Sequence, residues 1–73
     1  MTETEAELLI AVNGEDMRVP AGSTVADLVA SRGLKPSQVA IEINKDIVPR
    51  LTHADRKLEP GDRVEIVTLV GGG

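Results

Sequence analysis

The chain contains no phenylalanine, tyrosine or tryptophan and no cysteine. Any core must therefore be assembled almost wholly from leucine, isoleucine and valine, with no disulfide framework to support it. Small β-branched side chains favour strands over helices, so a sheet is the expected frame. With 73 residues there is room for one domain. A chain of that size buries only about 60% of the surface its unfolded state exposes, so its stability is expected to be modest. Apolar residues make up 41% and charged residues 27%, a globular rather than a disordered balance.

The missing cysteine also excludes a thiolate metal site, an iron–sulfur cluster and a cysteine nucleophile. No apolar run approaches the roughly 18 residues of a membrane span. The first residues, Met1-Thr2-Glu3-Thr4-Glu5-Ala6-Glu7, are acidic where a secretory signal is basic and then apolar. A soluble cytoplasmic protein, monomeric when free, is expected. The formal net charge of -4 argues against nucleic acid or an anionic membrane as the main partner. It suits a partner with a basic docking face, and serves solubility equally well.

Residues 1–7 carry charge without periodicity and read as a leader. Leu8, Ile10 and Val12 then alternate with Leu9 and Ala11. Asn13-Gly14 supplies a hairpin turn, and Met17 and Val19 continue on a return strand that Pro20 ends. Thr24 is placed to cap a helix over about Val25 to Arg32, with Asp27 at its third position and Val25, Leu28 and Val29 on one stripe. Gly33 fits the position after the helix, and Pro36 prevents its continuation. Val39, Ile41 and Ile43 mark a third strand, and Ile47-Val48 a short one between the Asn44-Lys45-Asp46 turn and Pro49. Residues 51–59 read as a loop with a short helical turn. Glu59-Pro60-Gly61-Asp62 forms a turn before a last strand containing Val64, Ile66 and Thr68.

This order, a hairpin, a helix and further strands, predicts an α+β β-grasp, or ubiquitin-like, domain over residues 8–70: a mixed sheet whose one face covers one main helix. The expected core is Ile10, Val12, Val19, Val25, Leu28, Val29, Ile41, Ile43, Leu58, Val64 and Ile66.

Catalytic constellations are missing from the pattern. His53 stands beside Asp55 and reads as an exposed loop histidine, and Ser23, Ser31 and Ser37 sit in no nucleophile motif. The pairs Glu15/Asp16 and Glu3/Glu5 lack the ligand count of a calcium or magnesium loop. No catalytic residue and no metal ligand is assigned, and the chain is not expected to be an enzyme on its own.

Residues 71–73 differ from the other glycines, because no turn or cap needs them. Lacking Cβ atoms, they can lie in a narrow channel of a partner. Val70 to Gly73 span at most about 13 Å. A bare carboxylate at Gly73 is a poor acyl donor, but adenylation by ATP turns it into a mixed anhydride open to sulfur or nitrogen nucleophiles.

The β-grasp pattern, the segment Asn44-Lys45-Asp46-Ile47-Val48-Pro49-Arg50, the turn Leu58-Glu59-Pro60-Gly61-Asp62-Arg63-Val64 and the ending Val70-Gly71-Gly72-Gly73 together resemble the ThiS family of sulfur carriers in thiamine biosynthesis. The resemblance covers residues 8–73. The Gly-Asp turn and the glycine ending are shared with the molybdopterin carriers of the MoaD type. The resemblance implies a cycle. A ThiF-like adenylyltransferase, using ATP, would activate the carboxylate of Gly73, and a sulfur donor system would replace AMP to leave a thiocarboxylate. A ThiG-like thiazole synthase would take that sulfur into the thiazole ring, together with a deoxyxylulose phosphate-derived ketone and a glycine-derived imine. Gly72 would be the second obligate tail residue and Gly71 a spacer. The chain itself would bind no cofactor.

With the first and last strands as neighbours, Leu9, Ala11, Val67 and Leu69 fall on the face opposite the helix, apolar where polar residues are expected. They are the expected partner-docking surface. Three alternatives stay open at this point: delivery of sulfur to molybdopterin, tRNA or cysteine synthesis; a ubiquitin-like modifier joined to lysines; and a noncovalent module with an inert tail.

Overall fold

The computed structural model describes residues 6–69. Strand β1 (Glu7–Val12) and strand β2 (Glu15–Pro20) form an antiparallel hairpin. Its turn residues Asn13 and Gly14 both have positive φ, 52° and 86°, the geometry of a type I′ turn. β1 begins at Glu7 rather than Leu8, because Glu7 pairs with Pro20 and the Ala6 carbonyl accepts the Ala21 amide at 3.1 Å. Residues 1–5 of the expected leader lie outside the described residues.

Helix α1 (Val25–Ser31) starts where local chemistry satisfies its free amides. Thr24 Oγ1 accepts from the Asp27 amide at 3.1 Å, and Asp27 Oδ2 accepts from the Thr24 amide at 2.9 Å, a reciprocal capping box. The helix ends at Ser31 rather than Arg32, in a Schellman arrangement. The Leu34 amide donates to the Val29 carbonyl at 3.2 Å and the Gly33 amide to the Ala30 carbonyl at 2.9 Å. That geometry sets Gly33 at φ +73°, where a Cβ would be strained.

Strands β3 (Val39–Ile43), β4 (Asp46–Val48) and β5 (Arg63–Thr68) complete a five-stranded sheet in the order β2-β1-β5-β3-β4. β1 and β5 run parallel and the other neighbours antiparallel, so the sheet is mixed. Val25, Leu28 and Val29 of α1 join the inward residues of the strands in one buried cluster. This is the β-grasp arrangement. All of the expected core residues are buried, and Val39 and Val48 join them. Val48 is drawn in because it lies opposite Ile41, on the core face. Short 3-10 turns at Pro36–Gln38 and Arg50–Thr52 lead into and out of the β3–β4 hairpin.

β5 continues past the end of β1, and a side chain takes over the missing neighbour's hydrogen bonds. Asn13 Oδ1 accepts from the Ile66 amide at 2.8 Å, and Asn13 Nδ2 donates to the Ile66 carbonyl at 3.3 Å. One carboxamide thus mimics a further residue of β1. Replacing Asn13 by glycine preserves the positive φ and removes this clamp, while adding freedom to the unfolded chain. Asn13→Gly is expected to lower stability by about 1–3 kcal/mol, as befits two backbone groups left unpaired. Thermal melting checks this, with roughly 4–8 °C lost per kcal/mol in a domain of this size. Exchange of the Ile66 amide should accelerate in the same variant.

Candidate functional site

The site is the root of the tail: the end of β5 and the open face of the sheet around it. Val64 and Ile66 anchor β5 in the core, and the alternation then leaves Val67 and Leu69 outside. The ladder to β3 continues to the last described residue, where the Leu69 amide donates to the Gln38 carbonyl at 2.7 Å. Leu69 is therefore held by the sheet. Gly71, Gly72 and Gly73, the expected tail and acylation site, lie outside the described residues.

The other end of β5 is fixed by a buried polar network. Asp62, 5% exposed, accepts from the Glu59 amide at 2.9 Å and from Asn44 Nδ2 at 3.1 Å, with the Arg56 guanidinium 3.5 Å away. Asn44 Oδ1 accepts from the Arg63 amide at 3.0 Å, and the Asn44 amide donates to the Arg63 carbonyl at 2.8 Å. A carboxylate this deep is tolerable because its lone pairs are occupied. The Asp62 turn thus joins the β3–β4 turn to the first residue of β5. The start of the strand is thus tied by Asn44 and Asp62, which sequence reading treated as turn formers.

His53 departs from its expected place. It is 3% exposed, not an exposed loop residue. Its Nε2 lies 3.1 Å from the Val48 carbonyl, which can only accept, so Nε2 donates this hydrogen bond. Nδ1 is buried without a hydrogen-bond partner. The ring borders a depression that Val39, Val48 and Leu69 also line. It braces β4 against the following 3-10 turn, whereas the neighbouring Leu51 is 92% exposed. No hydroxyl or carboxylate is hydrogen-bonded to His53, so the ring has no catalytic partner among the described residues.

The expected docking residues all lie on the open face, in two groups. Leu9, Val67 and Leu69 are 46%, 55% and 50% exposed, and Ala11 is half-buried. Ala11 is in register with Arg63, and the Gly61 amide donates to the Leu9 carbonyl. Val67 therefore stands about 20 Å along the sheet from Leu9, at 3.3 Å per residue. Arg63 and Glu65 occupy the interval. Beside Val67 and Leu69 are Ala40, opposite Val67, and Ile47, which is 75% exposed. Ile47 escapes sequence reading because its face is set by register: it pairs with Glu42 while Val48 pairs with Ile41.

Among the described residues, no group of three or more His, Asp or Glu could hold a metal ion, and no helix is long and apolar enough to cross a membrane.

The model of the ThiS family matches residues 6–73. The chain is 35% identical over 66 residues to the sulfur carrier protein ThiS of Bacillus subtilis, covering 89% of this chain and 100% of that one. It is 38% identical over 64 residues to a thiazole synthase of Paramagnetospirillum magneticum, covering 88% of this chain and 20% of that one. The chain thus spans about a fifth of the length of that enzyme. The crystal structure of the thiamine biosynthesis protein ThiS from Geobacter metallireducens superposes with a TM-score of 0.76 at 25% identity, covering 90% of this chain and 100% of that one. With a β-grasp scaffold leading into a glycine tail and a family match running through residue 73, the chain belongs to the ThiS family.

Proposed function

We propose that the chain is a sulfur carrier of thiamine biosynthesis. The observation that carries this is positional: β5 is held by the sheet as far as Leu69, and Val70-Gly71-Gly72-Gly73 follow it directly. A partner adenylyltransferase transfers AMP from ATP to the carboxylate of Gly73, releasing pyrophosphate. Sulfur at the sulfide level then displaces AMP and leaves a thiocarboxylate. The chain is a co-substrate in this cycle and binds no cofactor of its own; ATP belongs to the ThiF-like enzyme. Gly72 and Gly71 form the slender stem. With no cysteine in the chain, the carboxylate is where sulfur would ride.

Thiazole formation is favoured as the destination by the names of the relatives, which include a thiazole synthase with a segment similar to this chain. A ThiG-like thiazole synthase is accordingly the proposed sulfur acceptor, and the cytoplasm the proposed setting. The exposed pair Val67 and Leu69 supports docking of the adenylyltransferase on the open sheet face, with Leu9 and Ala11 a second contact further along.

Incubation with ATP, a ThiF-type adenylyltransferase and a sulfur source should replace one oxygen of the chain by sulfur, read as intact mass. An unchanged mass under conditions that charge a control carrier would overturn the proposal. Deleting Gly72-Gly73 should abolish the change. Leu69→Glu should leave the melting temperature close to that of the parent, because Leu69 is half exposed. The same substitution should weaken binding to the adenylyltransferase about tenfold or more, the equivalent of about 1.4 kcal/mol, in a titration.

A further inference from the structure

Three features of the open face depart from what folding alone favours. The first is the β3–β4 turn. Asn44 and Lys45 have φ of 53° and 74°, the two positive values of a type I′ turn. In the β1–β2 hairpin the second of these positions is Gly14, whereas here it is a lysine, whose side chain disfavours that conformation. The second is the pairing of Glu42 with Glu65, directly opposite each other on β3 and β5. Like charges so placed are destabilising. The one ion pair among the described residues, Arg56–Asp62, involves neither. The third is the exposure of Ile47, 75%, beside Glu42, and of Val67, 55%, in the next row.

The register arranges these departures in order. Ala40 and Val67 form an apolar row; Ile47, Glu42 and Glu65 form an acidic row with an apolar end; Asn44 and Arg63, with Lys45 at the turn, form a basic row. Rows are about 7 Å apart, two residues along a strand. Glu42, Glu65, Lys45 and Arg63 line a single depression, so the local field is a stepped dipole rather than a block of one sign. Sequences that break local folding rules at several neighbouring positions do so where function competes with stability.

We propose that this striped face sets the orientation of the enzyme that adenylates the tail, and that Lys45, Glu42 and Glu65 are its specificity-determining residues. The inference rests on the sulfur-carrier function proposed above and names the chemistry of its partner: a protein surface presenting, in order, an apolar side chain, a cation for the Glu42/Glu65 pair and an anion for Lys45 and Arg63. Two facts select this occupant. The apolar row lies at the end of β5 that leads into the tail, so an enzyme holding the tail meets that row first, with the acidic and basic rows about 7 and 13 Å further back along the strand. The sequence of signs along the strand also makes a reversed placement repulsive, the property that electrostatic complementarity confers on an interface.

The test is a set of substitutions that a purely structural role would not tolerate and a docking role would. Lys45→Gly and Glu42→Gln/Glu65→Gln should each melt at or above the temperature of the parent. Each should bind a purified ThiF-type adenylyltransferase about threefold or more weakly, the range of solvent-accessible ion pairs. The charge reversal Glu42→Lys/Glu65→Lys should weaken binding at least about tenfold. Affinity of the parent should fall with added salt, and that of Lys45→Gly/Glu42→Gln/Glu65→Gln should fall less. Parent-like affinity and salt dependence in stable variants would overturn the inference while the parent is still charged with sulfur. So would a destabilised Lys45→Gly, or a loss confined to binding of thiazole synthase. A parent chain that neither binds the adenylyltransferase nor is charged would overturn the proposed function as well.

Discussion

The structure depends on β5 being the central strand. It pairs with β1 on one side and β3 on the other, so it joins the N-terminal hairpin to the second half of the chain. Val64 and Ile66 contribute the buried face of the strand, and three polar side chains secure its backbone: Asn13 at Ile66, Asn44 at Arg63 and Asp62 at the turn before it. Asn13 and Asn44 supply hydrogen bonds that longer neighbouring strands would supply, and Asp62 holds the turn before them.

Much of this architecture is legible in local patterns. Alternation in Leu8–Val12, the Asn13-Gly14 turn, the Thr24–Asp27 capping box and Gly33 after the helix are relations between residues at most a few positions apart, and the structure reproduces them. What escapes is long-range. Asn13 reaches across 53 positions to Ile66, and Asn44 across 19 to Arg63, so nothing near either residue announces the clamp. His53 lies in a polar stretch whose composition says loop. Its burial follows from the path of the chain after β4, which folds the ring back under Val48. The division of Leu9 and Ala11 from Val67 and Leu69 likewise follows from register, because parity alone fixes a face and not a position along it.

The two turns of the sheet show how function and folding divide the same geometry. Asn13-Gly14 and Asn44-Lys45 adopt nearly the same backbone, and in both the asparagine side chain stitches β5. Only the second residue differs. At the hairpin beside Ile66, nearer the tail, it is the residue the conformation prefers. At the turn beside Arg63, at the other end of β5, it is a charged residue the conformation disfavours. On the docking proposed above, Lys45 answers to the partner as well as to the fold.

In the proposed carrier, that face and the tail act together. The sheet holds Leu69, and the four residues beyond it span at most about 13 Å. On the proposed carrier function, an enzyme that reacts with Gly73 brings its own surface close to β5 whenever chemistry occurs. A longer or looser connection would let the carboxylate be reached without contact to the domain, and selection among enzymes would then rest on the glycines alone. Glycines present no side chains to distinguish. In the proposed carrier, tying Leu69 to Gln38 keeps the domain's face close to anything that grips the tail. The scaffold would then decide which enzyme may use a carboxylate that is chemically anonymous.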